Sequence, residues 1–406
     1  ASDTPIVITL GAGEYILPKD VTIESEVTLV GKGVESTIIT YGSGTRDIVA
    51  PLAVDTPVLT INDGADFSAS HLTFSYTGNL LNANVVEVLG GEASFDNCKF
   101  TGGKRASAAT EEGIWMGKGL HIENDANVVV ADSEFSQNEG DGITVLGSSS
   151  LAVTNSLFAH DSVALYTDTS GTVTLHDSEV CLEEPSVGML FHNTKDVVVA
   201  NNIIHKNQHG GIVFEGTSTG TIHNNRIFEN TDSELTDGHG ILLYDTSEAT
   251  ITNNTIYGHG QKGIVAGGSR ATIRDNEIDD NGHFGIIVGG NCQAIIEDNS
   301  IDNSGLHGIA LEANSTAEIR RNTIESSFHC GLVVEPGATA LVENNSFISN
   351  TSIAIFYKSD TVGTIRNNTM RDSKTGIYHN SNVIIENNNT YENIIMETYP
   401  YPPPED

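Results

Sequence analysis

Basic side chains are scarce in this sequence of 406 residues. Its 19 Lys and Arg residues stand against 54 Asp and Glu residues, which gives a net charge of −35 at pH 7. Nucleic acids and anionic membrane surfaces both require a basic patch on their partner, so this balance predicts that the chain binds neither. A strongly anionic polymer is disfavoured as a substrate for the same reason, unless Ca²⁺ bridges the two or the contact zone is locally basic.

Long hydrophobic runs and closely spaced cysteines are also missing. No apolar run is long enough to cross a bilayer, so we expect no membrane insertion. The four cysteines, Cys98, Cys181, Cys292 and Cys330, do not have the spacing of metal ligands. Cys98 falls on an interior position of the repeat described next, which predicts a buried thiol.

A short phrase recurs about every 23 residues from the first third of the chain to its C-terminus. It reads aliphatic, any residue, Asn or Asp, Asn or Ser, any residue, aliphatic, then a polar stretch and Gly-Ile. Clear instances are IHNNRI at 222–227, ITNNTI at 251–256, IRDNEI at 273–278, IEDNSI at 296–301 and IRRNTI at 319–324. A fixed period of this length with strand-sized apolar segments predicts an all-β solenoid.

The second residue of the Asn pair forms the most regular column of the repeat. It contains Asn202, Asn225, Asn254, Asn276, Asn299, Asn322, Asn345 and Asn368, preceded by Ser133, Ser156 and Ser178. A polar column inside an apolar frame predicts an internal Asn ladder, in which each amide bonds to the turn backbone of a neighbouring coil. We interpret this column as structural.

The Asn-Asn-x-Ile…Gly-Ile pattern resembles the right-handed, single-stranded parallel β-helix repeat of the pectin-lyase-like superfamily. That repeat is shared by pectin-active enzymes, mannuronan epimerases, phage tailspikes and periplasmic accessory proteins of copper-site assembly. The opening GEYILPKDVTIESEVTLVGKG is similar to the start of many carbohydrate-active members. The Asp-Pro-His motif of the epimerases is absent, and the comparable coil reads ALYTDTSG. No catalytic residue is therefore transferred from the family.

We expect three segments along the chain. Residues 1–54 are predicted to form N-terminal strands and a cap, residues 55–392 the parallel β-helix, and residues 393–406 a Pro-rich tail. The prolines of residues 399–406 predict that this last part forms no ladder strand. Two insertions, at 101–118 and 231–238, interrupt the regular coil length. Long loops on a regular scaffold often carry binding residues.

Polar side chains are predicted to share one exposed face of the strands that follow each Gly. The second and fourth residues of these strands point outward. The members of this patch and its edges are Tyr166, Asp168, His192, Glu215, Tyr244 and Asp245, with Lys118, His121 and Glu123 before them and Trp115 in the first insertion.

These residue types suit a site for a linear polysaccharide. We assign Asp168 and Glu215 as an acid/base pair, and His192 and Tyr166 as proton-transfer or orienting groups. Tyr244 and Trp115 are predicted to stack on sugar rings, and Asp245, Lys118, His121 and Glu123 to bind substrate. The pair is two coils apart, about 9–10 Å between backbones, which suits an inverting glycoside hydrolase. Lyase or epimerase chemistry through Tyr166 and His192 stays open.

The sequence leaves open two possible cation sites and one non-catalytic function. Histidines precede the Gly in several coils, at His209, His239, His283, His307 and His329. Their spacing varies by a residue, so we predict turn capping and no metal site. Glu312 and Glu335 on adjacent coils are possible Ca²⁺ ligands. The alternative function is a non-catalytic surface adhesin, spike or periplasmic accessory rod; either function predicts an extracellular, cell-surface or periplasmic protein.

Overall fold

A computed structural model describes residues 5–17, 21–41, 57–78, 83–105, 117–183, 186–231, 237–268, 270–380 and 382–400. The chain is all-β and forms a parallel β-solenoid of about 15 turns, as the repeat predicts. The chain divides into two compact units, Ala1–Ile203 and Ile204–Asp406. None of the described segments is a helix that could span a membrane.

Three strands build a typical coil, and each pairs in parallel with the equivalent strand of the next coil. The strand that carries the Gly-Ile phrase belongs to one sheet, which we call the Gly-Ile sheet. The strands before and after the Asn pair form the other sheet. Parallel stacking places equivalent residues of successive coils about 4.8 Å apart, so a column of the sequence becomes a row on the surface or in the core.

In the described part of the first unit, the strands of the Gly-Ile sheet are Thr22–Ile23, Leu59–Asn62, Val86–Leu89, Leu120–Glu123, Ile143–Gly147, Leu165–Thr169 and Val187–His192. Its strands before the Asn-pair position are Ile6–Thr9, Val27–Val30, Asn127–Ala131, Ser150–Thr154, Val173–His176 and Val197–Ala200. Those after it are Gly13–Leu17, Thr37–Tyr41, Glu134–Ser136, Leu157–Ala159 and Glu179–Cys181. Two long strands, Asp66–Tyr76 and Glu92–Thr101, serve both positions. Ile203–His205 crosses the boundary between the units.

The second unit repeats the same order with greater regularity. Its Gly-Ile strands are Gly210–Glu215, His239–Leu243, Lys262–Ala266, Phe284–Val288, His307–Leu311, Cys330–Val334, Ile353–Tyr357, Thr375–His379 and Met396–Pro400. The strands before the Asn pair are Thr219–His223, Glu248–Thr252, Arg270–Arg274, Gln293–Glu297, Thr316–Arg320, Thr339–Glu343, Val362–Arg366 and Val383–Ile385. Those after it are Arg226–Phe228, Thr255–Tyr257, Glu277–Asp279, Ser300–Ile301, Thr323–Glu325, Ser346–Ile348, Thr369–Arg371 and Thr390–Glu392.

The Asn ladder has the geometry that the sequence predicts. Oδ1 of Asn276 accepts from the backbone N–H of Asn254 at 2.9 Å and from its Nδ2 at 3.0 Å. Nδ2 of Asn276 in turn donates to the carbonyl of Ile251 at 2.9 Å and to Oδ1 of Asn299 at 3.0 Å. Each amide therefore satisfies buried backbone groups of its neighbours. Cys98 is also buried, as expected.

The first residue of the Asn pair has a different role. It adopts a left-handed backbone conformation, with φ of 55° at Asn253, 56° at Asp275 and 58° at Asp298. Asn and Asp tolerate this region best among residues with a side chain, which explains the Asn/Asp choice at this position. Arg321 is an exception, with φ of 54° and its guanidinium bonded to Asp298.

A second internal column lies at the turn before the Gly. The backbone N–H of Asn207 donates to Oδ1 of Asn230 at 3.0 Å, and that of Asn230 donates to Nδ1 of His259 at 3.2 Å. His259 N–H continues the column to Oδ1 of Asn281 at 3.3 Å. In the first unit, Asn138 N–H bonds to Oδ1 of Asp161 at 3.0 Å. The solenoid thus has two polar ladders in its interior.

The strand ladders extend into both predicted end segments. Ile6–Thr9 pairs in parallel with Val27–Val30. At the other end, Met396–Pro400 pairs in parallel with Thr375–His379, with Tyr399 opposite Tyr378. The predicted exclusion of residues 399–406 from the ladder is therefore wrong for Tyr399 and Pro400. Pro400 is tolerated because it is the last residue of its strand, where its missing N–H interrupts little of the ladder. Residues 401–406 lie outside the described part.

Candidate functional site

A row of polar side chains crosses the Gly-Ile sheet of the first unit. The parallel register places Glu87 beside His121, His121 beside Thr144, and Thr144 beside Tyr166. Leu190 continues the row opposite Tyr166. The structure therefore brings together two residues that the sequence had singled out, His121 and Tyr166, with Thr144 between them.

A hydrogen-bonded network is centred on His121. Nζ of Lys118 lies 3.2 Å from Nδ1 of His121, and Nε2 of His121 lies 3.2 Å from Oε2 of Glu123. Because the Lys118 ammonium can only donate, Nδ1 accepts and Nε2 carries the hydrogen that Glu123 receives. Lys118 is 5% exposed, whereas the Glu123 side chain is 35% exposed. The network thus runs from a buried cation to a carboxylate at the surface.

Asp141 lies on the other side of this row. Oγ1 of Thr144 donates to its Oδ2 at 2.7 Å, and Thr144 is the register partner of His121. Burial raises the pKa of Asp141, although the hydrogen bond from Thr144 and the charges of Lys118 and Arg105 act against the rise. The hydrogen bond from His121 lowers the pKa of Glu123. Burial lowers the pKa of Lys118.

The described ends of the 101–118 insertion meet beside this network. Oδ1 of Asn84 accepts from the backbone N–H groups of Gly117 at 3.2 Å and Lys118 at 3.1 Å. Nδ2 of Asn84 donates to Oε1 of Glu87 at 2.8 Å. Asn84 is 1% exposed, so this buried amide holds Lys118 in place. Residues 106–116, including Trp115, lie outside the described part of the chain.

The other predicted residues of the first unit lie one or two coils further along the same sheet. Asp168 is in register with Leu146, and Tyr166 with Thr144. His192 ends the next strand, Val187–His192. All three side chains are partly exposed. They occupy outward positions on this face, as predicted.

Glu215, Tyr244 and Asp245 belong to the second unit. Oδ2 of Asp245 accepts from the backbone N–H of Gly216 at 3.0 Å, so this carboxylate caps the turn after Glu215. Tyr244 is 39% exposed, and burial raises the pKa of its hydroxyl with the negative charges of Glu215 and Asp237 adding to the rise. Tyr244 therefore presents part of its aromatic ring at the surface, near the carboxylate of Glu215.

The described end of the 231–238 insertion contacts two of the histidines that directly precede a Gly, His209 and His239. Oδ2 of Asp237 lies 2.6 Å from Nδ1 of His209, and its Oδ1 lies 3.4 Å from Nε2 of His239. Burial lowers the pKa of His239 to about 4. Asp237 therefore joins neighbouring coils of the second unit at the edge of the Gly-Ile sheet.

The two glutamates considered for Ca²⁺ have other surroundings. Oε1 of Glu335 forms an ion pair with Nζ of Lys358 at 2.6 Å. The carboxylate of Glu312 lies close to Gly289. A Cβ atom added to this glycine would lie 2.4 Å from Oε2 of Glu312. A calcium ion bound by both carboxylates would have to displace Lys358 from Glu335.

Asp141, Thr144, Glu87 and Asn84 were not predicted as site residues. The column analysis selected outward strand positions, and Asp141 and Asn84 lie in turns before the strand. Asp141, two residues before Ile143, was the available signal, because a carboxylate that precedes a strand can fold back onto its first outward residue.

The sequence model of the protein family described as 'right handed beta helix region' matches residues 60–234 and 231–362. The chain belongs to the right-handed β-helix family. No curated protein sequence matches it. Members of the family share the coil architecture described above, and the resemblance seen in the repeat is thereby confirmed.

Several solved β-helix structures are similar to the whole chain. The catalytic unit of a thermostable GH87 α-1,3-glucanase from Streptomyces thermodiastaticus is 15% identical with a TM-score of 0.42, covering 98% of this chain and 63% of its own. A double mutant of the periplasmic alginate epimerase AlgG is 14% identical with a TM-score of 0.42, covering 90% and 85%. The Dettilon tailspike protein is 14% identical with a TM-score of 0.38, covering 96% and 62%. At these identities and TM-scores the neighbours assign no activity.

Proposed function

We propose that this chain is a carbohydrate-active β-helix that binds a linear polysaccharide along its Gly-Ile sheet and cleaves or modifies it. The observation that carries the proposal is a pair of carboxyl groups with opposite pKa shifts around one register pair of the first unit. Glu123 contacts His121, Asp141 contacts Thr144, and His121 and Thr144 are neighbours.

Opposite pKa shifts favour opposite roles for the two carboxyl groups. Asp141, whose pKa is raised, is suited to hold a proton and to deliver it as the general acid. Glu123, whose pKa is lowered, stays ionised and is suited to accept a proton or to activate water. His121 orients Glu123 by donating to it from Nε2, and Lys118 holds the imidazole by donating to Nδ1. Tyr166, one strand beyond Thr144, is placed to contact the sugar.

The same cluster is compatible with two reaction classes. In a hydrolase, Asp141 would protonate the glycosidic oxygen while Glu123 activates water. In a lyase or epimerase, Arg105 would neutralise a uronic carboxylate while Glu123 removes the adjacent proton, and Asp141 would supply the proton that the leaving oxygen or the carbon takes up.

The pair that the sequence suggested remains a competing assignment. It uses Asp168 and Glu215 as acid and base, with His192 and Tyr166 in proton transfer. It differs from the first assignment in a testable way, because Glu123 and Asp141 would then be dispensable for turnover.

Assay of a broad glycan panel with matched variants tests the proposal. New reducing ends indicate hydrolysis, and the ultraviolet absorbance of unsaturated uronates indicates elimination. On an active glycan, Glu123→Gln and Asp141→Asn should each lower turnover about 100-fold or more with little loss of thermal stability. Asp132→Asn is the matched control, because Asn97 and Asn155 occupy the same left-handed turn position in neighbouring coils.

The outcome also decides between the two assignments. Loss of turnover in Asp168→Asn and Glu215→Gln, with full turnover in Glu123→Gln and Asp141→Asn, would transfer the site to the pair suggested by the sequence. Full turnover in all four variants would reject both sites.

A non-catalytic rod is the second candidate. The outward row of the Gly-Ile sheet in the second unit is aliphatic from Leu242 to Val333 and covered by its own neighbours: Ile287, Ala310 and Val333 are 7%, 3% and 2% exposed. That stretch offers no acid, base or sugar platform. If the protein is such a rod, no glycan of the panel should yield reducing ends or unsaturated uronates, even where it binds. Under either function we propose an extracellular, cell-surface or periplasmic location.

A further inference from the structure

Two of the histidines that lie just before a Gly, His307 and His329, converge on a buried cysteine in the second unit. His307 and Cys330 are register partners on adjacent strands of the Gly-Ile sheet, and His329 directly precedes Cys330. Sγ of Cys330 and one ring nitrogen of each histidine lie within 4.8 Å of one another. Among the described residues, this is the group of His, Cys, Asp and Glu side chains that is close enough to share a metal ion.

The contacts within this group involve its potential ligand atoms. Sγ of Cys330 lies 3.3 Å from Nδ1 of His329. The backbone N–H of Cys330 donates to Nδ1 of His307 at 3.2 Å. The two imidazole rings are 5.2 Å apart between centroids. Cys330 is fully buried and His329 is exposed, so the group opens to solvent on the His329 side.

We propose that His307, His329 and Cys330 bind one transition-metal ion of the Zn²⁺ class, with a fourth position open to water. One thiolate and two imidazoles form a mixed ligand set of borderline softness, which such ions prefer to Ca²⁺ or Mg²⁺. The site is separate from the proposed polysaccharide site, and it stands whether or not that function is correct.

The observed distances fit this ion with a small adjustment. Metal–nitrogen bonds of about 2.0–2.1 Å and metal–sulfur bonds of about 2.3 Å place tetrahedral ligands about 3.3–3.6 Å apart. The separation of 3.3 Å between Sγ of Cys330 and Nδ1 of His329 already meets that value. The imidazole rings must move the remaining distance to bring their nitrogens within bonding distance of the ion, and exposed His329 has room to do so.

Binding exchanges protons and one hydrogen bond for metal bonds. Burial raises the pKa of the Cys330 thiol to about 12, so the ion must displace its proton. Burial, with help from His329 and Lys358, lowers the pKa of His307 to about 4, which keeps its imidazole neutral and available. The hydrogen bond from Cys330 N–H to His307 is given up. Lys358 is the nearby cation, and its ion pair with Glu335 at 2.6 Å offsets its charge.

Cobalt titration of the full chain after treatment with a chelator tests the site. Co²⁺ should bind with a stoichiometry of one and produce a thiolate-to-cobalt charge-transfer band, and Zn²⁺ should abolish the band. Cys330→Ser should remove the band. His329→Ala, which changes an exposed side chain, should weaken Co²⁺ binding at least about 10-fold.

His283→Ala is the matched control for His329→Ala, because this exposed histidine occupies the position of His329 two coils earlier: the N–H of Leu306 bonds to the carbonyl of His283, and the N–H of His329 to that of Leu306. It should leave both band and affinity unchanged. The proposal fails if no thiolate band forms, if the band survives in Cys330→Ser, or if His329→Ala binds Co²⁺ as tightly as the parent. If Cys330→Ser does not fold, the comparison of His329→Ala with His283→Ala decides.

Discussion

The backbone N–H of Asn230 donates to Nδ1 of His259 at 3.2 Å, so an imidazole occupies a place that Asn fills in the two preceding coils. His259 is 2% exposed, and its Nε2 has no hydrogen-bond partner. Burial lowers the pKa of His259 to about 3. The native state therefore keeps this ring neutral at a pH where the unfolded chain protonates it.

This relationship predicts that acid weakens the fold through His259. The stabilising effect of a depressed pKa is complete above the unfolded value of about 6.5 and is lost as the pH falls towards about 3. Between pH 7 and pH 5, His259 should account for a loss of about 2 kcal/mol in the free energy of unfolding. Denaturant titrations of the parent and His259→Asn at both pH values measure it.

The variant should retain more of its stability on acidification, because its side chain does not titrate. His239 and His307, whose pKa values are lowered to about 4, contribute to the remaining loss. His283→Asn, at an exposed ring, should follow the parent. Equal acid losses in the parent and His259→Asn would contradict the prediction.

Asp161 predicts a stabilising substitution in the same column. Its Oδ1 accepts from N–H and Nδ2 of Asn138, both at 3.0 Å, while its buried Oδ2 has no hydrogen-bond partner. Burial raises the pKa of Asp161 well above its usual value. Asp161→Asn keeps Oδ1 and removes the charge, so it should raise the free energy of unfolding at pH 7 by about 1–3 kcal/mol.

The sign of the pH effect provides the check. A raised pKa favours the native state at low pH, and that advantage is lost as the pH rises through the native pKa. The gain from Asp161→Asn should therefore be largest at neutral pH and shrink on acidification. Asp132→Asn, in an exposed left-handed turn, should show no such gain. A destabilised Asp161→Asn at pH 7 would disprove the argument.

The sequence was sufficient for the coil and for the first ladder. Asn254, Asn276 and Asn299 recur at one position without exception, and burying an amide in every coil is possible only if each one bonds to the next. The left-handed turn was not predicted, although the Asn/Asp choice at Asn253 and Asp275 reflects it.

The second ladder and the acid/base cluster were not accessible from columns. Asp161, Asn230 and His259 differ in type, so their common role is visible only from their hydrogen bonds. Burial of Lys118 depends on how the insertion returns to the coil, which no period encodes. Asp141 reaches Thr144 by folding back from a turn, and strand alternation does not describe turns.

The Asn ladder predicts unequal effects for neighbouring residues. Asn276 is 2% exposed, and its loss would remove the acceptor of the buried Asn254 N–H and the donor to the carbonyl of Ile251, while Nδ2 of Asn254 keeps the carbonyls of Ile222 and Thr252. Asn276→Ala should therefore lower the free energy of unfolding by on the order of 3 kcal/mol. Asp275→Asn, one residue earlier, should be nearly neutral because Asn suits its left-handed turn. Thermal and denaturant unfolding of both variants measure the difference, and comparable losses would refute the distinction.

The proposed acid and base predict a bell-shaped pH dependence of kcat/KM on an active glycan. Glu123 must be ionised, so the acidic limb should lie below the usual range of Glu, because His121 lowers the pKa of Glu123. Asp141 must be protonated, so the basic limb should lie above the usual range of Asp, because burial raises its pKa. Asp141→Asn should remove the basic limb from the residual activity.

Lys118 gives this profile a sharper test. Its charge opposes the rise in the pKa of Asp141, so Lys118→Met should move the basic limb to higher pH while leaving the acidic limb less affected. Lys104→Met is the matched control, because that cation is ion-paired with Glu139 at 2.8 Å, at the surface of the same insertion. A basic limb that stays in place in Lys118→Met would show that a group other than Asp141 donates the proton.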